Sequence, residues 1–529
     1  MLAEKNRRCL QLVLILLAVI VTAPRQLFAA VKLHPLFSDG AVLQRDMKVP
    51  IWGWADDGEK VTVQVGNQEK SAAAKDGKWS MTLDAMEAGG PHVLTVSSGG
   101  QTIEVKDVLV GEVWLASGQS NMQWPISRTA NAEAVIAAAA NPSIRLLTVP
   151  RRGANEPQST VEANWTACSP DSVKEFSAVA YYFGRELQKV LGVPVGLINT
   201  SYGGTPAEAW TSRGQLAAKP QLAGMLEDDA RTIANLPEAQ KRFEDELAKW
   251  KEEEKLAKEQ GKEPPRRPQP PAGENSPHRP SVLHNAMIAP LVPYAVRGAI
   301  WYQGESNAGR AYQYRTLFPA MIEDWRHAWG QDDFPFLFVQ LAPFMKITSE
   351  PAESAWAELR DAQLQTSLTL PKTAMAVITD VGDEADIHPQ QKEPVGLRLA
   401  LAARALAYGE KIEYSGPVLK RQEIRKDRIV LSFDHVGDGL AVKGDSLTGF
   451  TIAGKDRRWV SAYAEVQGDQ VAVWTPEVPE PVAVRYGWAN YPLGNLWNKS
   501  GLPASPFRTD DFPLTTMPQA AGAGGAQGL

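Results

Sequence analysis

Cysteine is nearly missing from this chain, with Cys9 and Cys168 the two present in 529 residues. Cys9 stands ahead of the apolar run from Leu10 to Val21, beside Lys5, Arg7 and Arg8, and Gln26-Leu-Phe-Ala-Ala30 offers small residues for cleavage. That order reads as a signal peptide over 1–29, because the run is shorter than the roughly 20 apolar residues a membrane span needs. Its removal leaves Cys168 alone, which excludes an intramolecular disulfide and leaves no membrane span in the mature chain. Export without disulfides fits a periplasmic or secreted protein whose cores are large enough to need no staple. Basic residues form no long stripe and the net charge is only −6, so nucleic acid is not an expected partner. There is no His-Glu-x-x-His, no Cys-x-x-Cys and no Walker loop, so neither a metal nor a nucleotide cofactor is implied.

The length calls for two or three globular units. Over 30–106, short alternating strands such as Val49 to Trp54, Val61 to Val65 and Val93 to Val96 are broken by Asp/Gly turns, which reads as a small β-sandwich. The middle of the chain differs. Five apolar runs, Val113 to Ala116, Val195 to Asn199, Ala295 to Tyr302, Phe334 to Leu341 and Thr373 to Thr379, each end in a polar tip. Helical patterns at Ala178 to Leu191, Arg310 to Trp329, Ala355 to Leu368 and Pro394 to Tyr408 alternate with them. Continuously apolar strands interleaved with helices predict an α/β unit with a parallel sheet covered on both faces, in two parts, 107–214 and 281–410. Between the parts, 215–280 turns to Glu, Lys and Ala and then to Pro, the composition of a charged helical arm and a Pro-rich loop. Strands return over 411–512, and the tail 513–529, Gly/Ala-rich from Gln519, is expected to be disordered.

In an open α/β sheet, ligands sit beyond the carboxyl ends of the strands. The tips here are Ser117 to Asn121, Asn199 to Gly204, Gln303 to Asn307, Ala342-Pro343 and Asp380 to His388, none with Lys or Arg. Such tips suit neutral ester chemistry, which needs a hydroxyl, an imidazole to take its proton and fixed N–H donors for the oxyanion. Histidine is scarce enough to sort. His34, His92 and His435 fall in the β-regions, His278 and His284 flank the Pro-rich loop, and His327 lies within a helix. Only His388 follows a sheet strand in acidic company, with Asp383, Glu384 and Asp386 nearby. Ser120 could instead cap a helix beginning at Asn121, since Ser is a favoured cap. Trp124 and Trp210 could stack on a sugar ring or fill the core. Glu305 could pair with an arginine or bind a sugar hydroxyl.

Four blocks, Gly118-Gln-Ser-Asn-Met122, Thr200-Ser-Tyr-Gly-Gly204, Trp301-Tyr-Gln-Gly-Glu-Ser-Asn307 and Asp386-Ile-His-Pro389, resemble the motifs of the SGNH (GDSL-like) hydrolase superfamily. Within it they are most similar to the sialate O-acetylesterase family and related carbohydrate acetylesterases. The likeness runs from about Leu36 to Thr509. It implies a flavodoxin-like parallel sheet flanked by helices, with sandwich-like β-regions at either end, and an O-acetylated carbohydrate as substrate. It also implies Ser120 as nucleophile and His388 as base. Asp386 or backbone carbonyls would orient the imidazole, with Asp383 and Glu384 in reserve. The Ser120 N–H and that of Gly204 (or Gly203) would hold the oxyanion, and Gln303 or Asn307 would supply the amide side chain that completes the hole. Gln119, Trp124, Trp210 and Glu305 are the expected substrate contacts. The same blocks serve sialate and plant-polysaccharide esterases; a sugar-binding assembly with an inert α/β unit is the reading from another class.

Overall fold

The computed structural model describes residues 30–331 and 333–518. The expected signal peptide and positions 519–529 of the expected tail lie outside them.

Seven strands build the central sheet: β1 (Gln101–Gly118), β2 (Asn141–Thr148), β3 (Thr166–Cys168), β4 (Val195–Ser201), β5 (Gly298–Tyr302), β6 (Phe336–Val339) and β7 (Thr373–Ala376). Their order is β3-β2-β4-β1-β5-β6-β7, parallel throughout except for β3 at the edge. The five expected runs became β1 and β4 to β7. Every residue of β5 and β6 is buried, as continuous apolar strands in a doubly covered sheet should be. β2 is the strand the sequence pattern hides. It opens on Asn-Pro and carries Arg145 at its centre, which breaks the apolar run; the guanidinium is buried and makes a bidentate pair with Asp107.

Side chains of the strands point alternately into two layers. Trp114, Leu197, Ile300, Leu337 and Ala374 pack with helices α2 (Ala178–Leu191) and α5 (Glu393–Leu406). Leu115, Ile198, Trp301, Phe336 and Met375 pack on the other face with α3 (Ala311–Trp329) and α4 (Ala355–Thr369). Strand order reverses at β1: β2, β3 and β4 lie on one side of it, whereas the chain returns to β5 on its other side. This topological switch point opens a crevice at the tip of β1.

The amino-terminal strands are not hung on a linker. β1 runs unbroken across positions 106 and 107, and its first half pairs with Gly89–Ser98 and Val42–Gln44 while its second half lies in the central sheet. Glu112, fully buried on β1, holds Arg45 and Arg297 across that junction. Helix Arg213–Ala218 leads into the 215–280 segment, which continues with helices Pro220–Ala234 and Leu236–Glu259 and then irregular chain. Beyond α5 the strands form antiparallel sheets, including a four-stranded one in which Arg428–Asp434 pairs with Val418–Arg425 and Gln470–Trp474.

Candidate active site

β1 ends at Gly118, whose φ of +137° and close approach to β5 demand glycine. A Cβ there would stand 2.1 Å from the Tyr302 carbonyl oxygen. The tight passage turns the chain into the short helix α1 (Ser120–Gln123), with Ser120 at its first position. Gln119 occupies the cap position and no side chain caps the helix, so the capping role considered for Ser120 is not what its hydroxyl does. The Ser120 Oγ instead lies 2.8 Å from His388 Nε2.

His388 sits on the loop after β7. Asp386 Oδ1 accepts the His388 backbone N–H at 2.8 Å and lies 3.2 Å from His388 Nδ1. An aspartate that bonds the backbone two residues on curls the chain into an Asx turn, so residues two apart meet where an extended segment would keep them apart. The carboxylate favours a proton on Nδ1, which leaves Nε2 free to accept from the Ser120 hydroxyl. Asp383 accepts the Ala385 and Asp386 N–H groups, and Glu384 accepts the Ile347 N–H. Both shape the loop, and neither bonds His388. Partial burial lowers the affinity of His388 for its proton below the ordinary histidine value; Asp386 opposes this, and Lys392 and Arg128 add to it.

Of the two block-two glycines, Gly203 packs on Ser120, where an added Cβ would stand 3.3 Å from the serine Cβ, and gives its N–H to Gln123 Oε1. Gly204, at φ +74°, follows with an N–H that bonds no group among the described residues. The amide side chains expected to complete an oxyanion hole are engaged elsewhere. Gln303 Nε2 donates to the Thr205 carbonyl and to Asn307 Oδ1, and Gln303 Oε1 accepts from Tyr314. Asn307 Oδ1 also accepts the Ala207 N–H, and its Nδ2 donates to Glu208. Both residues are buried, and neither bonds Ser120 or His388. Block three thus braces the β5 tip to the block-two loop rather than facing the hydroxyl. Gln119 likewise points its Oε1 at the Gly304 and Ser306 N–H groups, tying the β1 and β5 tips together.

Trp124 and Trp210 part company. Trp124 is half-buried and stacks on the His388 ring, 5.0 Å between centroids and 15° between planes. Trp210 is fully buried, edge-on to Trp301, with its N–H on Thr205; it fills the core and offers no platform. Glu305 pairs with no arginine among the described residues: its Oε1 accepts from Asn121 Nδ2 at 2.6 Å. Three residues escaped sequence reasoning. Lys392, almost wholly buried, donates to Asn121 Oδ1. Arg128 lies over the Trp124 ring at 5.6 Å, exposed and without a carboxylate partner among the described residues. His278, returning from the 215–280 segment, stands beside Gly204. The absence of Lys and Arg from the strand tips hid the first two, which sit a few residues beyond them.

A hydroxyl, an imidazole and a carboxylate thus lie in line at the switch point of an α/β sheet. Among the described residues no group of three or more His, Cys, Asp or Glu could hold a metal ion. Comparison with known proteins carries this further. Residues 280–406 match the family model described as carbohydrate esterase, sialic acid-specific acetylesterase. The sialate O-acetylesterase of Mus musculus is 32% identical over 88% of this chain and 92% of its own length. That of Homo sapiens is 31% identical over 93% and 95%. The crystal structure of a carbohydrate acetylesterase from Xanthomonas citri superposes with a TM-score of 0.78 at 39% identity, covering 91% of this chain and 100% of that one. The chain belongs to the sialate O-acetylesterase family and is a carboxylic ester hydrolase that deacetylates carbohydrate.

Proposed function

We propose that this protein is an exported serine esterase of the SGNH type that removes O-acetyl groups from sialic acid through an acetyl-enzyme. The observation that carries the reading is the 2.8 Å approach of Ser120 Oγ to His388 Nε2, with Asp386 on the far ring nitrogen. The strands β1, β4, β5, β6 and β7 support the fold assignment, since with β2 and β3 set aside their order is that of a flavodoxin-like sheet. The basic and apolar amino terminus supports export.

Ser120 Oγ attacks the acetyl carbonyl carbon while its proton passes to His388 Nε2. The oxygen that gains the electron pair is held by the N–H groups of Ser120 and Gly204. Collapse breaks the bond to the sugar oxygen, which leaves with the proton from His388. Water then gives a proton to His388 and attacks the acetyl carbon; acetate departs as Ser120 recovers its proton. Arg128 favours sialic acid among the sugars, because a guanidinium beside the imidazole, with no carboxylate partner among the described residues, fits a substrate carboxylate. A second reading, an acetylesterase for neutral plant polysaccharide such as xylan, is favoured by the broader name of the Xanthomonas citri neighbour, a carbohydrate acetylesterase.

Acetate release from O-acetylated sialic acid and from acetylated xylan, with wild type and Ser120→Ala side by side, tests both. Faster release from sialate that Ser120→Ala abolishes is expected. Preference for xylan selects the second reading, and activity that survives Ser120→Ala overturns the mechanism.

A further inference from the structure

Behind the Ser120–His388 pair lies a buried polar cluster that ester cleavage, as derived above, does not use. Its centre is Asn121, the residue after the serine. Asn121 Nδ2 donates to Glu305 Oε1 at 2.6 Å and to the Ile387 carbonyl, the residue before the histidine, at 3.0 Å. Asn121 Oδ1 accepts from Lys392 Nζ. One side chain therefore joins the tip of β1, the tip of β5, the loop after β7 and the start of α5. Lys392 is 1% exposed, and its Nζ stands 5.5 Å from the Tyr302 ring centroid and 5.6 Å from that of Trp124, the ring that stacks on His388.

An ammonium in such a place is expensive unless something holds it. The cation faces two rings, an amide oxygen and the fields of Glu305 and Asp386. A lysine retained there needs a reason beyond packing, since a methionine would fill similar space without desolvating a charge.

We propose that Lys392 is a positioning residue for the ester-cleaving site: through Asn121 its amino group keeps the Ser120 turn and the His388 loop in register, and when charged it stands as a buried cation behind the imidazole. This rests on Ser120 and His388 being the nucleophile and base. The groups that face His388 are Asp386 on its own loop, Lys392 at the head of α5 and Arg128 after α1, with Ser120 at hydrogen-bond distance. Lys392 faces Glu305 and Asp386. Burial lowers the lysine to about 7, with Glu305 and Asp386 pulling against that fall. Below that pH, where His388 takes up its proton, Lys392 is an ammonium and the repulsion operates.

The test is the pH profile of kcat/KM on p-nitrophenyl acetate for wild type, Lys392→Met, Lys392→Gln and Lys392→Arg. Lys392→Met removes both the charge and the bond to Asn121. It is expected to lower kcat by about 10²-fold, the scale of a misplaced reacting group. Its acid limb should move to higher pH by roughly half a unit, because a nearby cation no longer disfavours imidazolium. Lys392→Gln keeps an N–H but no charge, so its limb should move likewise with a smaller fall in kcat. Lys392→Arg keeps the charge, and its limb should stay. Loss of packing alone moves no limb. A limb that stays put in the folded Gln variant overturns the proposal, also where the Met variant folds poorly. A Ser120→Ala enzyme that remains active overturns the underlying reading instead.

Discussion

In the proposed mechanism a general base works only while it is neutral, so the environment of one imidazole decides where this site operates. Burial holds His388 below its ordinary value of 6.5, and Lys392 and Arg128 act in the same direction against Asp386. A lowered value keeps the ring unprotonated to more acid pH, so kcat/KM should fall on acidification only below pH 6.5. A pH–rate profile whose acid limb lies above that value would contradict the geometry. Ser120→Ala should reduce kcat by about 10⁴-fold or more, as loss of a nucleophile does elsewhere. Asp386→Ala should lose less than the roughly 10⁴-fold that follows removal of a fully buried orienting carboxylate, because Asp386 is half exposed and 3.2 Å from Nδ1. Arg128→Gln should raise KM for O-acetylated sialic acid about tenfold, one charge-assisted bond's worth, and leave KM for p-nitrophenyl acetate near its native value. Equal effects on both esters would remove Arg128 from substrate recognition. The approach of Ser120 to His388 was legible because His388 is the one histidine after a sheet strand in acidic company, and Ser120 lies in a block that resembles a family motif. The engagement of Gln303 and Asn307 was not, since an amide's partners depend on which loops fold against it.

At the level of elements, the glycine that ends β1 decides whether a serine can stand at the switch point at all. Gly118→Ala places a methyl 2.1 Å from the Tyr302 carbonyl oxygen, at a φ that side chains with a Cβ rarely adopt. Neither backbone can yield without breaking the β1–β5 pairing that runs through Trp301 and Tyr302. The variant should lose soluble yield or, where it folds, fall at least about 10²-fold in kcat through displacement of Ser120. Near-native activity and melting temperature together would show that the passage is looser than its geometry. The strands flanking this passage were readable because burial on both faces writes an unbroken apolar run. β2 was not, since Arg145 satisfies its charge with Asp107, a partner 38 positions away. Helices were easier: α2 spans the expected Ala178 to Leu191, and α5 starts and ends within two residues of its pattern. Their periodicity is local, whereas strand pairing is not.

For the molecule as a whole, the loop that carries His388 is braced from the carboxy-terminal β-region, through contacts that no local pattern encodes. Arg360 on α4 is fully buried and donates to four carbonyl oxygens, those of Leu341 and Ala342 beyond β6 and those of Ala489 and Asn490. The Asn490 carbonyl also accepts the Phe344 N–H, and Phe344 bridges to Asp383, at the head of the histidine loop. Burial lowers the guanidinium to about 9, still well above neutrality, so it is a cation with every strong acceptor supplied by backbone. Arg360→Met fills similar space but leaves those carbonyls without a donor in a dry site, which should cost roughly 3 kcal/mol or more. The unfolding transition should come at lower temperature, and limited proteolysis should open 489–490 before the central sheet. Because the same contacts hold Phe344 against Asp383, kcat should fall along with stability, while KM for a small ester stays near its native value. Intact activity at a lowered melting temperature would mean that the carboxy-terminal region stabilises the fold without steering the imidazole.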